Sequence, residues 1–138
     1  MRWPWSRPVE ERFTGDVRLR VRIRQPRIIA SEHESRRFAV LFEDDRKGGY
    51  SYALDLAHNP EEPIVDAALL YQGVKAREIE LQILWSKSLP RALLMTDGSP
   101  QVVFDFEQQR CWSRSAFPEG AGAWAGPKSW SDEALEGF

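Results

Sequence analysis

Cysteine is nearly missing from this chain. A single Cys111 in 138 residues excludes an intrachain disulfide framework and any cysteine-based zinc knuckle. Histidine is scarce too: His33 and His58 leave little material for a histidine-rich metal site. Long apolar runs are absent. A spanning helix needs ~20 mostly apolar residues, and the longest uncharged apolar stretches here are as short as residues 67–71. The N-terminus begins with a positive charge, but Glu10, Glu11 and Arg12 sit where a signal peptide would carry its apolar segment, so a cytoplasmic protein is expected. Also missing are a glycine-rich phosphate loop, a dinucleotide-binding fingerprint, an HExxH helix and an EF-hand loop. A Ser-His-Asp triad would have to draw on His33 or His58, both in polar loops without a nucleophile elbow nearby. Cys111 reads as a small buried hydrophobe. The sequence therefore points to no catalytic residue, no cofactor and no bound metal.

The chain does have the makings of a core. At 42% hydrophobic and 29% charged it has enough apolar surface to offset the entropy of ordering one domain. A single domain over 1–138 is expected, with an N-terminal arm (1–15), a β-meander core (16–114) and an aromatic, glycine-rich tail (115–138) packing on that core.

Charge is unevenly placed. Residues 1–37 hold ten arginines against five acids, whereas the remainder holds nine cations against sixteen acids. Within the basic part, residues 17–24 alternate strictly between apolar residues and arginine. A strand has a side-chain period of two, so Val17, Leu19, Val21 and Ile23 share one face and Arg18, Arg20, Arg22 and Arg24 the other. Arginine pairs bidentately with carboxylates and phosphates, which makes such a strip a candidate for an acidic protein surface or for nucleic acid. The plain alternative is a solvated face on an edge strand, neutralised across the sheet by carboxylates of the acidic remainder. A pI near 5.7 argues against nucleic acid.

Further strands follow. Residues 38–43 and 50–56 flank Asp44, Asp45 and the Gly48-Gly49 pair and read as a hairpin. Residues 78–85 alternate with Trp85 inward. Residues 91–96 and 101–106 flank Asp97-Gly98, a strong hairpin turn. Residues 64–71 read as a strand or as a helical turn leading into one. Ser131, followed by Asp132 and Glu133, suits the cap of a short terminal helix. The expected fold is mainly β, an antiparallel meander of about seven strands with at most one or two short helices.

Two further groups stand out. Glu43, Asp44, Asp45, Asp55 and Asp66 could form a hard-oxygen cluster for Mg²⁺ or Ca²⁺, or they could simply make turns and bond the local backbone. Asp55 and Asp66 interrupt apolar runs, and a buried carboxylate must find partners. Trp124 and Trp130 lie in a tail without strand or helix period. They either seal the apolar face of the sheet or act as anchors for a partner.

The stretch from Phe38 to Asp45, the stretch from Gly49 to Asp55, residues 63–67 and Tyr71, together with Trp85-Ser86, Phe104-Asp105-Phe106 and Trp130-Ser131-Asp132, resemble a family of small bacterial proteins known only as a domain of unknown function. The likeness runs over roughly residues 38–132 and leaves out the arginine strand. Small domains of this type are often similar to immunity partners of bacterial toxins. The sequence thus supports a non-catalytic protein-binding protein, immunity-like, with Arg18, Arg20, Arg22, Arg24, Glu43, Asp44, Asp45, Trp124 and Trp130 as candidate contacts. A carboxylate-centred metal module and nucleic-acid binding through the arginine strand are the alternatives.

Overall fold

The computed structural model of the protein describes residues 9, 11–57, 63–115, 124 and 129–138. His58, residues 1–8 and most of the glycine-rich tail lie outside the described residues. Ten strands form among those described: β1 (Glu11–Thr14), β2 (Val17–Arg22), β3 (Arg27–Glu32), β4 (Phe38–Asp44), β5 (Gly48–Asp55), β6 (Ile64–Gln72), β7 (Glu78–Trp85), β8 (Arg91–Thr96), β9 (Ser99–Asp105) and β10 (Arg110–Ser113). The mainly-β class read from the sequence holds, but the meander is split in two. One five-stranded sheet runs β1-β3-β4-β5-β6 and the other β10-β9-β8-β7-β2. Every neighbouring pair is antiparallel except β1 with β3.

The split follows from burial. A single open sheet of ten strands would leave an apolar face wet, and two layers bury it. The main core lies between the sheets, with Ile29, Val40, Phe42 and Leu70 from the first sheet meeting Val21, Leu81, Leu94 and Phe104 from the second. The outer face of the first sheet also buries Ile28, Leu41 and Leu54. On the outer face of the second sheet, Leu93, Val103 and Trp112 pack under Ala134 of a terminal 3-10 turn, Asp132–Leu135. Ser131 caps that turn as its sequence predicts, its side chain accepting from the Glu133 amide.

Three elements differ from expectation or resolve it. Glu11–Thr14 lies within the stretch read as an arm, yet it forms β1 beside β3. Residues 64–72 are strand throughout, because pairing with β5 outweighs the helical preference of Ala-Ala-Leu-Leu. The arginine strand ends at Arg22. Ile23 still pairs, its amide donating to the Arg77 carbonyl at 2.9 Å, but Arg24 adopts a φ of 71° and leaves the strip. No helix among the described residues is long and apolar enough to cross a membrane.

Candidate functional site

The remaining arginine strip lies on the edge strand of the second sheet. Arg18, Arg20 and Arg22 stand opposite Gln82, Glu80 and Glu78 of β7. Ion pairs run diagonally across that register, Arg18 to Glu80 at 3.0 Å and Arg20 to Glu78 at 3.7 Å. The arginine side chains remain 71% and 79% exposed. Exposed pairs of this kind contribute at most about 1 kcal/mol each. They orient the guanidinium groups more than they hold the sheet together. Beside the ladder, Asp97 accepts from the Glu80 amide and from Arg77, and these two contacts, in that order, lower its pKa.

The β2 edge is tied to the first sheet by Arg27. Its guanidinium grips Glu11 with two bonds of 2.7 and 2.9 Å and donates to the Arg20 carbonyl at 2.9 Å. The hydrogen bond to Arg27 holds the Glu11 carboxyl below its ordinary range. The stabilisation from this pair is therefore present above the ordinary carboxylate pKa and fades as pH falls through the lowered one.

The carboxylates grouped by sequence do not converge, and among the described residues no three His, Cys, Asp or Glu side chains gather as a metal site would require. Asp44 points inward at one end of the sandwich. Its Oδ2 accepts from the Arg24 amide at 2.9 Å and the Tyr71 hydroxyl at 2.7 Å, and its Oδ1 from the Arg46 amide at 2.8 Å. One carboxylate thus fastens the β2–β3 turn, the β4–β5 turn and β6. Asp45 caps its own turn through the amides of Lys47 and Gly48. Glu43 faces the other side of the first sheet, where it accepts from the Tyr52 hydroxyl at 3.1 Å. Asp55 sits at the far end of the hairpin, bonded to Arg37, and Asp66 is buried in β6 opposite Ala53.

All three tyrosines of the chain gather around this hairpin. Burial, then the hydrogen bond to Asp44, pushes the Tyr71 phenol far above its usual range. Burial and Glu43 do the same for Tyr52, and partial burial with Asp45 raises Tyr50. Tyr71 and Tyr52 thus stand as proton donors to Asp44 and Glu43. The Tyr71 ring lies flat against Gly49, where an added Cβ would come within 2.3 Å of two ring carbons. Gly49→Ala is therefore expected to destabilise the fold by about 1–3 kcal/mol. Urea unfolding checks this, and an unchanged midpoint would show that the ring can yield.

The tail tryptophans pack on the core. Trp124 meets Phe104 and Phe106 edge-on, with ring centroids 6.1 and 5.5 Å away. Trp130 packs over the outer cluster of the second sheet and carries Arg114 on its ring at 4.2 Å. Cys111 is buried and in no disulfide. His33 accepts from or donates to Ser35 and leans on Trp85.

Sequence reading missed the buried ion pair of Arg91 and Asp105. They are bonded at 2.8 Å with side chains 7% and 3% exposed, while Arg91 also donates to the Glu136 carbonyl and lies over Trp112. The hairpin turn at Asp97-Gly98 could have suggested the pairing, but a bulge between Leu94 and Met95 shifts the register by one.

A family model described as an uncharacterized protein conserved in bacteria (DUF2251) matches residues 21–138. An uncharacterized protein of Haemophilus influenzae is 40% identical over 88 residues, covering 59% of this chain and 53% of the relative. The chain therefore spans about half the length of that curated relative. No solved structure matches.

Proposed function

The chain belongs to the DUF2251 family of bacterial proteins, and we propose that it is a non-catalytic binding protein that docks on an acidic surface of a protein partner in the cytoplasm. In its most specific form the reading is an immunity-type protein that occludes a toxin or effector. The observation that carries it is the ladder on β2 and β7. Arg18 and Arg20 stand on one face of the edge strand, each ion-paired to β7 while more than two thirds exposed, on the part of the second sheet away from the terminal turn. Arginines ordered in advance lose less entropy on pairing with a partner's carboxylates, and their field speeds encounter.

The carboxylate alternative finds its groups spread over both faces and both ends of the hairpin.

The test is native co-purification from the bacterial source, followed by binding kinetics on the partner obtained. Arg20→Glu with Arg22→Glu is expected to slow association by at least about tenfold at low salt and to flatten its salt dependence. Kinetics identical to those of the parent protein would remove the ladder from the interface.

A further inference from the structure

Three connections converge at the end of the sandwich where Asp44 lies: the β2–β3 turn, the β4–β5 turn and the loop from β6 to β7. Asp44 binds the amides of the first two, and the Arg77 carbonyl of the third receives the Ile23 amide. Ile23, Arg24, Lys47, Tyr71 and Val74 line a shallow dent between them, with Asp44 at its base, that encloses no water-sized space. Arg24, Arg46, Lys47 and Lys75 on these connections are all exposed. None of the four has an ion-pair partner among the described residues. The nearby carboxylates are engaged. Asp44 is buried under its donors, Asp45 caps the β4–β5 turn, Asp97 holds Arg77 and Glu78 holds Arg20. Three connections distant in sequence thus bring four cations to one end, in excess of the two carboxylates Asp44 and Asp45, with exposed Val74 among them.

A second observation is independent of charge. Arg24 and Arg46 both have left-handed backbones, with φ of 71° and 78°. Glycine fits that conformation without strain, and asparagine or aspartate better than most. Here two arginines occupy it, each with its own amide tied to the same Asp44 carboxylate and its side chain in solvent. Strained backbone persists where the surroundings enforce it, and it clusters at binding sites. The fold therefore holds the backbone of two arginines in a strained conformation at a cost that no ion pair of their side chains offsets.

We infer that this loop end is a docking site for a carboxylate-rich segment of a protein partner, with Arg24 and Arg46 as its main contacts and Val74 meeting an apolar side chain of that segment. The inference rests on the protein-binding reading but uses a surface distinct from the β2–β7 ladder. An open shape, arginine at the rim and an apolar residue within the patch suit a protein segment.

The experiment is fluorescence anisotropy with a short labelled peptide rich in glutamate with leucine interspersed, alongside duplex DNA of equal charge. Three proteins are compared: the parent, Arg24→Gly with Arg46→Gly, and Arg18→Gln with Arg20→Gln. The peptide is expected to bind the parent in a salt-dependent manner and more tightly than the DNA does. The glycine variant is expected to lose at least about tenfold in affinity while melting at the same or a higher temperature, because glycine relieves both strained positions. The ladder variant is expected to keep its peptide affinity. No binding to the parent, full binding to the glycine variant, DNA binding as tightly as the peptide, or a lower melting temperature of the glycine variant would each overturn the inference. Loss of peptide binding in the ladder variant alone would overturn it too, and would leave the protein-binding reading standing on the ladder.

Discussion

Arg91→Met is expected to destabilise the protein by about 3–5 kcal/mol, because it strands the Asp105 carboxylate in the interior. Burial is the reason for the size of the effect. Both side chains are nearly excluded from solvent, and Asp105 Oδ2 receives the Arg91 Nε at 2.8 Å. The other oxygen, Oδ1, takes the amides of Glu107 and Gln108 at 3.0 Å and shapes the turn into β10. Arg91 in turn reaches the Glu136 carbonyl, so its loss also loosens the terminal turn over Trp112. Lysine would not substitute, since a single ammonium cannot serve Asp105 and Glu136 while also stacking on an indole. The double variant Arg91→Met with Asp105→Asn is expected to recover more than half of the loss. It removes the unpaired charge, and the asparagine oxygen still accepts the two turn amides. Chemical denaturation of the parent and the two variants gives the comparison, and a cost below about 1 kcal/mol for Arg91→Met would mean that the pair is not a buried ionic link.

The second large effect is expected at Asp44→Ala. The Arg24 and Arg46 amides and the Tyr71 hydroxyl would lose their acceptor together, at a cost of about 3 kcal/mol or more. Asp44→Asn, which keeps one acceptor oxygen, is expected to cost less, and Tyr71→Phe to cost about 1.5–3 kcal/mol as the loss of one bond to a charged group. Hydrogen exchange provides a local readout: the Arg24 and Arg46 amides should exchange faster in Asp44→Ala, out of proportion to the change in global stability. Unchanged protection at both amides would show that the turns hold without the carboxylate.

Alternation made much of the fold legible. Val17 to Arg22 and Glu78 to Trp85 carry their facing in their period of two, and Asp97-Gly98 marks its hairpin without help from elsewhere. β1 and β3 were harder to see. Glu-Arg-Phe-Thr is too short and polar to declare itself, and β3 is buried over its four central residues, so it has no alternation to read. The partition into two sheets depends on the crossing of β2 to β7, a contact between residues some sixty positions apart that no local pattern encodes. The candidate site divides in the same way. The arginine ladder and the turn-forming role of Asp45 follow from neighbours in sequence. The burial of Asp44 under Tyr71, and the gathering of Arg24, Arg46, Lys47 and Lys75 at one end, follow only from which loops the two sheets bring together. Arg24 was misplaced on the strip because alternation continues one residue past the point where the backbone turns.

Arg27 also bears on how the molecule tolerates crowding. Its side chain occupies the outward carbonyl of Arg20, midway along a strand whose far side has no neighbour in its sheet among the described residues. A stray strand from another molecule trying to extend the second sheet would find that acceptor taken and would have to bring its backbone in between like charges. The contact that closes this side of the sandwich therefore also keeps the protein from seeding stacks of its own kind.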